Sequence, residues 1–353
     1  MKNLVSIIMP VYNVEQYVET SIKSVLNQTY KEYELIVIND GSTDNSLRIL
    51  KQYESKYDKV RVYSTPNQGL AQARNEGLKH AKGQYVYFID SDDAIVSNFL
   101  EIMIDTIKRE KSDLICFNFQ RCKFISESKL NTVFENKNSI TVASKGAMIL
   151  RAADMIHMQA WSYFMETDLL KKNKISFTEG RLFEDIDFSV KIIASSSNVT
   201  IVKTDIPLYL YRFRNDSISS RAHLKHTPKE FHDQLFLTKK AFNVMKMVDS
   251  RLAKKWLFNQ LIHIYINYKN PVARIYPREF SDISKQVKII FENHNFFISS
   301  KMNIEYLRTQ YGPIDNLIRV IKGIEQRESS LINLTTNTNF MEQNDEYKDF
   351  KIV

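Results

Sequence analysis

The stretch ELIVINDGSTDNSLRIL, residues 34–50, joins an apolar, β-branched run to a segment of helical periodicity through a turn that begins at Asp40. Gly41 suits a tight turn, and Ser42 or Thr43 is expected to cap the helix that follows. Asp40, at the strand end, is expected to offer an exposed carboxylate. The same alternation extends in both directions. Apolar runs LVSIIM (4–9), VRVY (60–63), YVYFID (85–90) and DLICFNF (113–119) read as further strands. Between them VEQYVETSIKSVLNQ (14–28), DNSLRILKQYESKY (44–57), LAQARNEGLKHAK (70–82) and NFLEIMIDTIKRE (98–110) carry helical spacing. Strands alternating with helices predict an α/β fold: a mostly parallel sheet with helices on both faces. Ligands of such folds bind beyond the carboxyl ends of the strands.

Three of those ends carry polar clusters: PVYN after the first strand, NDGSTD after the second and DSDD after the fourth. YVYFIDSDDAI (85–95) ends a strand in Asp90, Asp92 and Asp93. Three acids so close raise each other's proton affinity unless a cation lies among them. Oxygen-only ligands in a short turn suit Mg²⁺ or Mn²⁺, which binds one or two carboxylates together with substrate phosphates. A helix cap by Asp93 or Ser97 accounts for one acid, not three. PVYN (10–13) offers an aromatic ring beside backbone amides, a setting for a flat heterocycle, although Tyr12 can equally be packed. NQGLAQARNEG (67–77) carries Gly69 as a turn residue and then Gln72, Arg74 and Asn75 on one helix. Arg74 lies within reach of a ligand at the sheet edge.

GRLFEDIDF (180–188) sets Glu184 and Asp185 between apolar Phe183 and Ile186 near a helix start. Acids in a first helical turn complement the dipole. Apolar neighbours also desolvate a carboxylate and move its pKa toward the range of a general base.

Composition sets outer bounds. The chain has 353 residues, 43% of them apolar, enough for a sizeable core. Cys116 and Cys122 are the two cysteines, too few for a disulfide framework or a zinc site, so a reducing compartment is expected. The N-terminus lacks the pattern of a secretory signal, and no apolar run is long enough to span a bilayer. From about residue 225 the pattern changes to helices alone, as in PKEFHDQLFLTKKAFNVMKMV and RLAKKWLFNQLIHIYINYK. The expected domains are 1–224 (the α/β part), 225–335 (helical) and 336–353 (a polar tail). Most of the net charge of +8 lies beyond Lys225. That surplus reads either as a solvated basic face or as a site for an anionic partner, a membrane surface or an acidic substrate ahead of nucleic acid.

Taken in order, VSIIMPVYN, ELIVINDGSTD, NQGLAQARN, YVYFIDSDD and FEDIDF resemble the family 2 glycosyltransferases with the Rossmann-like GT-A fold, over about residues 4–220. The resemblance implies an inverting, metal-dependent transfer of a sugar from a UDP-sugar to a glycan hydroxyl, in capsular or cell-surface polysaccharide synthesis. It implies nucleotide-sugar contacts from Pro10, Val11, Tyr12, Asn13, Asp40, Asn67 and Arg74. Asp90-Ser91-Asp92 becomes the DxD motif, with Asp92 and Asp90 on the Mn²⁺ or Mg²⁺ side. Asp185 becomes the base and Glu184 its neighbour. Trp161 is either a sugar-stacking ring or a core residue; Arg212 and Ser217 to Ser219 lie near the diphosphate, with His223 a candidate extra metal ligand. The implied partners are a UDP-sugar and a glycan acceptor, lipid-linked acceptors included, and no nucleic acid. The implied location is the cytoplasm, at the inner face of the membrane. The C-terminal helices lie outside the resemblance; the wide apolar face of RLAKKWLFNQLIHIYINYK beside Arg251, Lys254 and Lys255 reads as core, a homodimer surface or a peripheral membrane contact. Two readings compete: an aspartyl-phosphate phosphohydrolase, whose Asp-x-Asp normally lies on the first strand, and a non-catalytic glycan-binding relative.

Overall fold

Strand β1 (Val5–Val11) is buried at every position and β2 (Tyr33–Asp40) at every position but Glu34, the signature of strands covered on both faces. The computed structural model describes residues 3–117, 119–126, 130, 140–143, 159–202, 207–214 and 227–248, with single positions at 253, 257 and 260. Helix α1 (Val18–Leu26) precedes β2; α2 (Ser46–Lys56), β3 (Val60–Thr65), α3 (Leu70–His80) and β4 (Tyr85–Phe88) follow it. Strands β1 to β4 pair in parallel in the order β3-β2-β1-β4. Their carboxyl ends therefore share one edge of the sheet. Helix α3 lies so close to β1 that a Cβ at Gly77 would come within 2.3 Å of Ile8 Cγ2.

Beyond β4 the chain departs from simple alternation. A short β5 (Ala94–Ile95) leads to α4 (Phe99–Arg109), which buries Phe99, Leu100, Met103, Ile104 and Ile107 along one face. DLICFNF, read as one strand, supplies two: β6 (Leu114–Phe117) joins the large sheet and β7 (Phe119–Cys122) a small one. After β8 (Ile140–Ala143), strand β9 (Tyr163–Glu166) runs antiparallel between β4 and β6. Helices α5 (Thr167–Lys172) and α6 (Asp185–Ser195) follow, then β10 (Val199–Val202), β11 (Tyr209–Arg212) and α7 (Pro228–Val248). Strand β10 pairs with β6 and β8, whereas β11 pairs with β5 and β7. The large sheet thus has eight strands in the order β3-β2-β1-β4-β9-β6-β10-β8, and β5-β11-β7 is a separate three-stranded sheet.

Trp161 is a core residue. It is 1% exposed and stacks on Tyr209 with ring centroids 4.3 Å apart. Helix α7 packs on α6, burying Phe231, Leu235, Thr238, Ala241, Phe242 and Met245 at three- and four-residue spacing. A first compact unit runs from Met1 to Phe280 and a second from Ser281 to Val353, the latter wholly outside the described residues. The expected tail at 336–353, Ser217 to Ser219 and His223 also lie outside them.

Candidate active site

The loops after β1 and β2 hold each other in place. Asn13, at φ 49°, accepts the Thr43 N–H (2.8 Å) through its side-chain oxygen, and its own N–H donates to Ser42 Oγ (3.2 Å). Asn13, which the resemblance puts on the nucleotide, ties its amide oxygen to the neighbouring loop. Helix α2 has no side-chain N-cap from Ser42 or Thr43. Asp44 takes that part, accepting N–H groups from Ser46 and Glu15 at 2.9 Å each. Pro10 and Val11 are buried in β1, whereas the Tyr12 ring is half exposed.

Asp40 corrects an expectation. Its carboxylate is buried, 4% exposed, and not at the surface. One oxygen accepts the Gln68 N–H (2.9 Å) and the Thr65 hydroxyl (3.2 Å), the other the Gly69 N–H (2.8 Å). Asp40 therefore shapes the 65–69 turn, which brings exposed Asn67 against Gly41: a Cβ on Gly41 would meet Asn67 N at 2.7 Å.

Arg74 organises the centre of the site. Its side chain is 1% exposed. Nη1 donates to Glu184 Oε1 and Asp185 Oδ1, both at 2.7 Å, and Nη2 to Asp90 Oδ1 at 2.9 Å. One guanidinium thus joins the acids after β4 to those at the start of α6, from positions far apart in sequence. Against burial, which disfavours its charge, the three carboxylates hold Arg74 firmly protonated. Burial raises the pKa of Asp185 to about 8, with Glu184 and Asp90 adding to the shift and Arg74 opposing it. Glu184, more buried still, is raised by the same burial against Arg74. A carboxylate tuned in this way, with about a fifth of its side chain open to solvent, matches what a general base needs.

The turn Asp90-Ser91-Asp92-Asp93 is tight, with the Asp93 N–H donating to the Asp90 carbonyl at 3.1 Å. Ser91 is buried. Asp92 is part-exposed and its Oδ2 accepts from Arg214 Nε at 2.7 Å, while Arg212 Nε donates to the Asp92 carbonyl at 2.8 Å. Both guanidinium groups lie over the Tyr17 ring, at 5.1 and 5.3 Å. Burial raises the pKa of Asp92, and Asp90 adds to the rise against Arg214. Asp93 is not a helix-start residue. It is buried, accepts from the Tyr209 hydroxyl (2.6 Å) and the Arg212 N–H (2.7 Å), and locks β11 to the turn.

Among the described residues no three acidic, His or Cys side chains converge as a ready-made metal cage. Two part-exposed carboxylates, Asp90 and Asp92, remain as hard oxygen donors whose mutual repulsion a cation would relieve. That donor set fits a divalent ion completed by substrate phosphates.

Known proteins place the chain. The family model "Glycosyl transferase family 2" matches residues 6–146. The glycosyltransferase GlyG of Streptococcus pneumoniae is 30% identical over 226 residues, covering 62% of this chain and 73% of GlyG. This chain belongs to glycosyltransferase family 2. The cholesterol galactosyltransferase of Borreliella burgdorferi is 29% identical over 274 residues, 75% of this chain and 72% of that protein. Among solved structures, S. aureus TarS 1–349 in complex with UDP-GlcNAc superposes with TM-score 0.68 at 23% identity, covering 93% of this chain and 92% of TarS 1–349. The mannosyltransferase PcManGT of Pyrobaculum calidifontis, solved with GDP-Man and Mn²⁺, gives TM-score 0.50 at 14% identity over 95% and 85% of the two chains. The structural likenesses establish the GT-A fold, and membership of the family makes the chain a glycosyltransferase in place of a phosphohydrolase. Glu184, Asp185, Arg212 and Arg214 lie beyond the residues matched by the family model.

Sequence reasoning missed Arg214, although YRFR places Arg212 and Arg214 two apart, on one face of an extended segment. It also missed Arg181 and Asp233, whose contact joins residues 52 apart and leaves no local signal.

Proposed function

We propose that this transferase moves a sugar from a UDP-sugar to a glycan hydroxyl with inversion, assisted by Mn²⁺ or Mg²⁺. The observation that carries the reading is the Arg74 junction, which sets Asp90 of the Asp-Ser-Asp turn beside Glu184 and Asp185. Asp185 takes the proton of the acceptor hydroxyl. That oxygen forms its bond to the anomeric carbon as the bond to the diphosphate oxygen breaks, its electron pair leaving with UDP. Asp92 and Asp90 would hold the divalent ion, which when bound neutralises charge on the departing diphosphate. Tyr12, Asn67 and the backbone at Pro10 and Val11 offer the edge on which the base and ribose would lie. Arg74 acts from beneath, keeping Asp185 oriented and two further acids compensated. The UDP-GlcNAc held by TarS supports a UDP-linked donor.

The work of such an enzyme would be capsular or cell-surface polysaccharide assembly in the cytoplasm, with a lipid-linked acceptor at the inner face of the membrane. No helix among the described residues is long and apolar enough to cross a membrane. The basic surplus beyond Lys225 supports a peripheral contact. The test is UDP release from a panel of UDP-sugars with Mn²⁺ and with a chelator, GDP-sugars serving as controls. Turnover of one UDP-sugar that the chelator abolishes is expected. Turnover of GDP-sugars alone, or turnover indifferent to the chelator, would overturn the donor or the metal assignment.

A further inference from the structure

The acids Glu184 and Asp185 stand at the end of a loop, residues 173–184, that carries Lys174, Gly180 and Phe183 at positive φ. Phe183 is the informative one. At φ 65° a bulky side chain occupies a sparsely populated region, and such a residue persists only where its surroundings over-determine it. The residues leading into Phe183 are held by α7, a helix that lies beyond the residues matched by the family model.

Three residues of α7, Asp233, Phe236 and Lys240, three and four apart and so on one face, reach this loop. Asp233 is 3% exposed. Its Oδ1 accepts from Arg181 Nη1 at 2.7 Å, and its Oδ2 from the Leu182 N–H at 3.2 Å and Lys229 Nζ at 2.5 Å. Lys240 donates to Thr178 Oγ1 at 2.7 Å and lies 3.3 Å from Asp187 Oδ2 in α6. Arg181 also stacks on Phe236 of α7, 3.9 Å from the ring centroid. The loop is therefore held at 178, 181 and 182, the last being the peptide next to Phe183. From Phe183 the chain turns directly into α6, with the Ile186 N–H on the Phe183 carbonyl at 3.1 Å.

We infer that Asp233 is a positioning residue for the transfer step: through Arg181 and the Leu182 N–H it fixes the Phe183 turn that presents Asp185 to Arg74 and the acceptor. The inference rests on the reading of Asp185 as the base. Donor contacts come from the ends of β1, β2 and β4, which Asp233 does not touch, so its loss should lower kcat and leave donor binding alone.

The test uses the full chain, with UDP release from the most rapidly turned-over UDP-sugar as the rate and UDP titration in Mn²⁺ as the binding probe. Asp233→Ala is expected to lower kcat about 10- to 100-fold, the scale of a misplacement of about an ångström. The donor KM and the UDP affinity should stay within about twofold. Asp233→Asn, whose amide oxygen still accepts the Leu182 N–H, should recover most of the rate. In an Asp185→Asn background, Asp233→Ala should have little further effect, since both act at one step. Unchanged kcat in Asp233→Ala, or equal losses of kcat and UDP affinity, would overturn the inference. Should Asp233→Ala not fold, Arg181→Lys carries the test: lower kcat at constant UDP affinity supports it and unchanged kcat overturns it. Full activity in Asp185→Asn would instead remove the base reading, an outcome separate from a silent Asp233.

Discussion

Two clusters of acids, Asp90-Asp92-Asp93 and Glu184-Asp185-Asp187, have mirrored spacing and contrasting settings. Each gives one member to the fold. Asp93 is buried and held by the neutral donors Tyr209 and the Arg212 N–H; Asp187 is fully buried and held by Thr178, Lys191 and Lys240. The members facing the site differ more. Asp90 and Asp92 follow a strand, remain part-exposed and answer to different arginines, Arg74 and Arg214. Glu184 and Asp185 begin a helix, share Arg74 and have their proton affinity raised by burial. On the proposed reading, similar spacing yields oxygen donors for a cation in one place and a proton acceptor in the other; the arginines that each cluster meets separate them, since burial raises the pKa of Asp92 as it does that of Asp185.

Removing the cation common to both clusters should break the comparison most severely. Arg74→Met leaves three acids around an apolar side chain, and breaking a buried pair from one side costs about 3–5 kcal/mol. Urea denaturation should show that loss, and transfer should vanish with it. The two structural acids come next. Asp187→Asn breaks contacts with two lysines and should cost about 3 kcal/mol, whereas Asp93→Asn replaces an acid held by neutral donors and should cost about 1–2 kcal/mol. Equal losses in paired denaturation curves would show that the two structural acids are held alike.

A smaller effect concerns protons. Because a base works deprotonated, kcat/KM for the donor should rise with pH along a limb centred near 8, the value to which Asp185 is raised. With the divalent ion and donor bound, the repulsion from Asp90 is offset, so the limb in kcat should move to lower pH. A limb that stays in place in both profiles would detach Asp185 from Asp90.

The first half of this architecture was legible because it is local. Strands β1 to β4 and their helices are written in short-range periodicity, and the acids at their ends stand in plain view. What was not legible depends on contacts distant in sequence. Strand β9 enters antiparallel between β4 and β6 from some 75 residues downstream of β4, and DLICFNF divides between two sheets because its last residue, Phe119, begins the strand that pairs with β11. Asp40 looks exposed in sequence because the 65–69 turn that buries it arrives later in the chain. Arg74, read as a residue at the sheet edge reaching toward a ligand, is buried among acids from two other segments.

The central claim is that the two clusters form one transfer site in which Asp185 is the base. Comparing Asp185→Asn with the unaltered chain, by transfer rate and by UDP affinity in Mn²⁺, tests it most directly. The account predicts a rate lower by about 10²- to 10⁴-fold with UDP affinity unchanged. Transfer at the unaltered rate would contradict it.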